Sequence, residues 1–210
     1  MRMLGEIPER VNVAVSGGVD SMVLLDFLIN GRRKINVLHY HHGTEHADDA
    51  FSFVKNVSES LGVGFISDEL RDPVPEKRSK EDFWRERRYS FFDRAEKHGY
   101  PEPILLAHHL DDVLETWLFS SFHGTPKIVP YMRGNCFRPM LMAKKEEILE
   151  WAERNSVPYI NDPSNENTGF MRNKIRHELV PKVLEVNPGI HKVLAKKVQE
   201  QYNSLIQLSG

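Results

Sequence analysis

An apolar run, Val11-Asn12-Val13-Ala14-Val15, passes through Ser16-Gly17-Gly18-Val19-Asp20-Ser21 into the helix-patterned stretch Met22-Val23-Leu24-Leu25-Asp26-Phe27-Leu28. A buried strand that turns into a helix through a glycine pair constrains the fold more than any other feature of the chain. Adjacent glycines let the backbone turn sharply and approach a ligand closely. The helix that follows directs unpaired N–H groups and the positive end of its dipole at that ligand. The loop is therefore an expected anion site, with phosphate the best fit. It has no lysine, so it is not G-x-x-x-x-G-K-[ST], and its glycines lack the G-x-G-x-x-G spacing. Ser16 and Ser21 offer hydroxyl donors to phosphate oxygens, and Asp20 suits a magnesium ion held against a polyphosphate it would otherwise repel. An ordinary capped turn is the plainer reading of these six residues alone. Their place after the first expected strand, where open α/β sheets bind ligands, favours the anion site.

The rest of the first half alternates. Ile35–Tyr40 reads as a strand, Ala47–Leu61 as a helix with Phe51, Val54, Val57 and Leu61 on one face, and Val63–Ser67 as a strand. A charged, proline-bearing loop from Asp72 to Glu76 leads to a long helix from Ser79 to His98, a strand at Ile104–Ala107 and a helix over Leu110–Phe122. This order predicts an α/β fold, a Rossmann-like parallel sheet with helices on both faces. The second half is less regular. Gly124–Gly134 is expected to be a loop, and Phe137–Leu141 extended, because Pro139 disfavours helix at Arg138. Lys144–Asn155 is an amphipathic helix, Asn161–Asn165 a turn-rich loop, and Gly169–Glu185 and Ile190–Leu208 two helices. Val193, Leu194, Val198, Leu205 and Ile206 of the last helix require a partner surface, in this chain or another.

With 210 residues and 40% hydrophobic content, the chain is expected to bury one full core with at most a small appendage. A net charge of -2 selects no partner, but basic residues cluster at 77–80, 85–88 and 172–176, as solvated helix faces or as phosphate sites. The single Cys136 excludes a disulfide framework, a zinc ribbon or an iron–sulfur site within one chain and fits a reducing cytosol. Met1-Arg2-Met3-Leu4 does not read as a signal peptide, and no apolar run approaches roughly 18 residues. A cytoplasmic protein that spans no membrane is the expectation.

After the fourth expected strand come Ala107-His108-His109-Leu110-Asp111-Asp112-Val113-Leu114-Glu115-Thr116, where the i, i+3 spacing puts Asp112 and Glu115 on one helix face. Acidic residues are ordinary in a first helical turn. That does not account for paired carboxylates beside paired histidines. A zinc site at His108, His109 and Asp112 lacks the i, i+4 histidine pair of helical zinc motifs. A pocket for a cationic substrate is more economical, since a charged hydrogen bond is worth on the order of 1.5–3 kcal/mol.

The 16–21 loop resembles the pyrophosphate loop of the ATP-pyrophosphatase superfamily, whose members split ATP between its α and β phosphates and adenylate a substrate. Three further runs resemble motifs of the tRNA(Ile)-lysidine synthetases: His108-His109-Leu110-Asp111-Asp112 with Glu115-Thr116, Arg85-Glu86-Arg87-Arg88-Tyr89, and Asp162-Pro163-Ser164-Asn165 with Phe170-Met171-Arg172-Asn173-Lys174-Ile175-Arg176. They occur in that family's order across residues 11–188. The resemblance implies an adenine nucleotide alpha hydrolase-like fold, with residues 1–160 as the ATP-binding catalytic domain and 161–210 as a small helical extension. It implies a ligase that adenylates the C2 oxygen of the wobble cytidine of a CAU-anticodon tRNA(Ile), releases pyrophosphate, and lets the ε-amine of L-lysine displace AMP. Ser16, Gly17, Gly18, Val19, Asp20 and Ser21 would then bind ATP, with Asp20 on Mg2+. Asp112 and Glu115 would grip lysine, and one of them would take its proton. Arg88 would steady the α-phosphate, while Arg85, His108, His109, Arg172, Asn173 and Arg176 would meet the adenylate or tRNA.

The chain departs from that family's pattern in two places. His41-His42-Gly43-Thr44-Glu45-His46 stands where an Asn-His-Gly-Leu-Arg-like run is usual, and the sequence stops at Gly210 where many members carry further tRNA-gripping domains. A minimal form is therefore expected, aided by its last helix and a homodimer formed through it. The alternatives are another adenylating enzyme, of the tRNA-thiolation or of the amidotransferase or NAD-synthetase type, or a non-catalytic nucleotide-binding module. The lone Cys136 argues against thiolation, and the intact loop and carboxylate pair argue against the module.

Overall fold

In the computed structural model the described residues are 1–44, 47–161 and 171–209, and the chain divides into two compact units. Glu45, His46, the Asp162-Pro163-Ser164-Asn165 run, Gly169 and Phe170 lie outside the described residues.

One unit, Ile7–Leu106 with Val157–Ile160, contains β1 (Arg10–Ala14), α1 (Val19–Asn30), β2 (Lys34–His41), α2 (Ala47–Leu61), β3 (Gly64–Glu69), α3 (Lys80–Lys97) and β4 (Ile104–Leu105). The strands run β3-β2-β1-β4, each parallel to its neighbour, with Val13 opposite both Val37 and Leu105. Successive side chains of a strand face opposite ways. Along β2, His39 and His41 meet Phe51 of α2, whereas Tyr40 between them meets Phe91 of α3. Helices therefore cover both faces, as expected of an α/β sheet whose strands are near-continuous apolar runs. Val11, Val13, Leu24, Leu25, Val37, Leu38 and Phe92 form its interior. One polar residue is buried within β1: Asn12 donates to the carbonyls of Tyr100 and Glu102 and accepts from Asn36.

The other unit, Met1–Glu6, Ala107–Ser156 and Asn161–Gly210, contains α4 (Leu110–Phe122), β5 (Met132–Arg133), β6 (Cys136–Phe137), α5 (Lys145–Arg154), α6 (Met171–Lys174), a π-helical turn (Ile175–Leu179), α7 (Val180–Val186) and α8 (Ile190–Ser209). Residues 171–209 thus belong to the same compact unit as α4. Leu110, Val113, Leu114 and Leu118 of α4 pack with Ile175 and with Ile190, Leu194 and Val198 of α8. The apolar stripe of the last helix is covered here by α4 in its own unit, and only Val193 and Ile206 of its large apolar residues before Leu208 stay exposed.

Two details differ from expectation. The end of the expected 124–134 loop pairs as an antiparallel hairpin, Met132 with Phe137 and Arg133 with Cys136, across Gly134-Asn135 with Gly134 at φ +56°. Two-residue strands carry no periodicity, so only the glycine marked the turn. The helix expected through residue 185 contains the π turn just before Pro181, whose missing N–H breaks the i→i−4 ladder at that point.

Candidate functional site: a glycine loop and an arginine-bridged carboxylate pair

The loop after β1 is held by its own side chains. The amide of Ser16 donates to Ser21 Oγ at 3.1 Å, and Ser21 Oγ donates to the Gly18 carbonyl at 2.9 Å. Gly17 sits at φ +93°, a region costly for any residue with a Cβ. A Cβ there would also lie 3.2 Å from the Ile160 side chain, whose amide donates to the Gly17 carbonyl at 3.0 Å. Gly18 is the N-cap of α1 and, having no side chain, caps none of the helix's first N–H groups itself. Beneath the loop, buried His39 meets the Val15 carbonyl through Nδ1 at 2.8 Å. Burial lowers the His39 pKa from its ordinary value, opposed by that carbonyl and aided by the charge of His41. A carbonyl oxygen can only accept, so Nδ1 is the donor in this contact.

Asp20 lies in the first turn of α1. Among the described residues no group of three or more His, Cys, Asp or Glu is arranged to hold a metal ion. A single carboxylate beside a phosphate loop nevertheless fits magnesium, which is commonly bound by one or two carboxylates plus substrate phosphates.

In the other unit, α4 starts at His109, whose amide donates to Asp112 Oδ2 at 2.9 Å and so caps the helix with the carboxylate's own side chain. One turn on, Glu115 is 3% exposed. Its Oε1 accepts from Arg172 Nη1 at 2.9 Å, and its Oε2 accepts from Arg176 Nη2 at 2.7 Å and Nε at 3.1 Å. Arg176 Nη2 also reaches Asp112 Oδ1 at 3.3 Å, and the Arg172 guanidinium lies 5.2 Å from the centre of the Phe119 ring. Two carboxylates and two guanidiniums therefore form one charge-balanced cluster. Asp112, Glu115, Arg172 and Arg176 are brought together, and the π turn is the backbone on which Arg176 rides.

Asp111 faces elsewhere. Its Oδ2 accepts from the Lys145 amide at 2.8 Å and lies 3.6 Å from His109 Nδ1, and its Oδ1 is 3.2 Å from His191 Nε2. Burial pushes the Asp111 carboxyl up, but the neighbouring His109 and His191 imidazoles and the bond from the Lys145 amide outweigh it and hold the group well below the usual carboxylate range. This carboxylate ties the openings of α4, α5 and α8 together. Sequence reasoning passed over His191, since a lone histidine at the start of a helix carries no signal.

His108 is half-buried just ahead of α4, and Asn173 is half-buried between Arg172 and Lys174. Arg85 and Arg88 lie on α3 in the sheet unit, the first exposed and the second half-buried. Their neighbours behave as a solvated face: Arg87 pairs with Asp72 at 2.8 Å and Arg78 with Glu86.

A parallel α/β sheet whose first strand runs through a glycine-bearing loop into a helix is the arrangement of the nucleotide-binding α/β class. A family model described as the PP-loop domain matches residues 4–183, and the chain belongs to this family of ATP pyrophosphatases. It is 35% identical over 202 residues to the tRNA(Ile)-lysidine synthase of Thermotoga maritima, covering 90% of this chain and 49% of that one. With the Exiguobacterium sibiricum tRNA(Ile)-lysidine synthase it shares 31% identity over 203 residues, 92% of this chain and 48% of the relative. The chain thus spans about half the length of the curated relatives it matches. Among solved structures, the NH3-dependent NAD synthetase of Campylobacter jejuni superposes with a TM-score of 0.53 at 14% identity, over 93% of this chain and 86% of that one, a likeness of fold.

Proposed function

We propose that this chain ligates free L-lysine to C2 of the wobble cytidine in a CAU-anticodon tRNA(Ile), through an adenylated cytidine, with release of pyrophosphate and AMP. The single observation that carries the lysine half is the Asp112–Glu115–Arg172–Arg176 cluster. Free lysine brings ammonium groups and a carboxylate, and the cluster presents the complementary ions of both signs. Lysine enters by exchange: its amine takes over contacts that the guanidiniums make to Asp112 and Glu115, and the released guanidiniums meet its carboxylate. Because an ammonium is no nucleophile, Asp112 or Glu115 also takes the proton from the attacking amine.

In the ATP half, the amides and hydroxyls of residues 16–21 hold the phosphates at the opening of α1. Asp20 would hold Mg2+, which when bound neutralises charge on the pyrophosphate that leaves. Arg88 steadies the α-phosphate as charge develops there, and Arg85, His108, His109 and Asn173 contact the adenylate or tRNA. Among the described residues no helix is long and apolar enough to cross a membrane, which fits the proposed cytoplasmic setting.

The test is incubation with ATP, labelled lysine and a CAU-anticodon tRNA transcript. Label in the tRNA with equimolar pyrophosphate is the expected result. Pyrophosphate release that requires some other acceptor in place of lysine would replace this reading with another adenylating activity.

A further inference from the structure

The helical unit carries a groove of about 320 Å³ that none of these roles uses. Phe122 at the end of α4 lines one side, and Met171, Lys174, Ile175, Leu179 and Lys182 line the other along α6, the π turn and α7. Phe122 is 67% exposed and Met171 54%, an unusual aromatic–aliphatic pair to leave open to water. Lys174 and Lys182 stand two helical turns apart on one face, roughly 12 Å along the axis. Among the described residues neither makes an ion pair. Glu178 lies between them and leaves the face net positive. Lys174 is two residues from both Arg172 and Arg176, about 200° around the helix, so the groove lies on a different side of it from the Asp112–Glu115–Arg172–Arg176 cluster.

Charge says what this surface fits. Residues 171–209 carry seven Lys and Arg against three Glu, in a chain whose net charge is -2. An exposed aromatic face flanked by lysines is the arrangement that takes an unstacked base with its phosphates, the base on the ring and the phosphates on the cations. A second copy of this chain seated here about a two-fold axis would bring Lys174 and Lys182 against their own like charges. A neutral apolar helix would leave the lysines unanswered.

We propose that this groove seats an unpaired nucleotide of the RNA substrate other than the base being modified, with Phe122 stacking on the base and Lys174 and Lys182 holding the flanking phosphates. This rests on the reading that the chain acts on RNA. It is a subsite for grip, and it touches no reacting atom.

The experiment is fluorescence anisotropy of the full chain with a labelled CAU-anticodon stem-loop RNA over a salt series, alongside lysine incorporation into the tRNA. Phe122→Ala should weaken RNA binding by roughly tenfold, the loss of one stacked base. Lys174→Gln with Lys182→Gln should lower the slope of log affinity against log salt by about 1.4, two single-strand phosphate contacts. Leu149→Ala, an exposed apolar residue outside the groove, should change neither. Circular dichroism confirms that each variant is folded. Unchanged affinity and slope in the groove variants overturn the proposal, as does a wild type that does not bind the RNA. A wild-type dimer that Phe122→Ala dissociates without loss of RNA affinity also overturns it, and gives the face to self-association. Weakened RNA binding with no lysine incorporated by the wild type upholds the groove and removes the ligase reading. Lysine incorporated equally well by wild type and variants, at equal RNA affinity, does the reverse.

Discussion

Arg176 closes on Glu115 through two of its nitrogens, at 2.7 and 3.1 Å from a single carboxylate oxygen, while Arg172 holds the other oxygen at 2.9 Å. Glu115 is almost wholly buried, and a carboxylate there is tolerable only because it is paired. Breaking a buried pair costs about 3–5 kcal/mol. The arginine side chains are 26% and 46% exposed and recover part of that from water. Glu115→Gln is therefore expected to lose about 1–3 kcal/mol by urea unfolding. On the proposed function it also slows lysine transfer more than pyrophosphate release. An unchanged apparent lysine affinity and transfer rate would place the amine pocket elsewhere.

The glycine loop separates conformation from charge. Gly17→Ala forces a Cβ into a positive-φ position and against Ile160, so a loss of about 1–3 kcal/mol of stability is expected together with loss of ATP binding. Asp20→Ala alters neither the backbone nor the Ser16–Ser21 bond. Its ATP-dependent pyrophosphate release is expected to be abolished even at temperatures well below its own unfolding midpoint. Calorimetry and a pyrophosphate assay on the same preparations read both. A conformationally damaged but active Asp20→Ala would reverse the assignment.

How far these parts could be read in advance follows from the physics of each. β2, α2 and α4 were legible to within a residue or so, because apolar periodicity over six or more residues leaves little freedom. The Ser16–Ser21 loop was legible because only glycine suits the backbone at 17. The shared face of Asp112 and Glu115 follows from helical spacing alone. That Glu115 is answered by Arg172 and Arg176 does not, since 57 and 61 residues separate the partners and no local pattern reports such a contact. The π turn was invisible for a related reason. It depends on how Pro181 is accommodated in an otherwise continuous helix.

His39 gives a pH dependence near neutrality. Its pKa in the folded chain is lowered, so the unfolded chain binds a proton that the native state refuses. The stability this contributes is fully present above the ordinary histidine pKa of about 6.5 and falls away as the pH drops below it. His39→Gln removes the titrating ring and keeps an N–H donor of similar reach toward the Val15 carbonyl. Urea midpoints measured between about pH 7.5 and 5 are expected to slope downward for wild type and to flatten for the variant. Equal slopes would mean that another group carries the dependence.

Asp111 acts in a lower window with the same sign. The adjacent His109 and His191 imidazoles and the bond from the Lys145 amide hold its folded pKa below that of a free carboxylate, so its contribution is present above about pH 3.9 and is lost as the pH falls below that value. Asp111→Asn keeps an acceptor for the Lys145 amide but removes the charge. Its urea midpoint should therefore lie below wild type at neutral pH and converge with it in acid. His191→Ala should reproduce part of that loss, and the double variant should lose less than the sum of the two single variants, because Asp111 and His191 are 3.2 Å apart. A strictly additive cycle would mean that the carboxylate draws its stabilisation from the Lys145 amide and His109 instead. The hold of the start of α8 on α4 would then fall to the apolar core that includes Ile190, Leu194 and Val198.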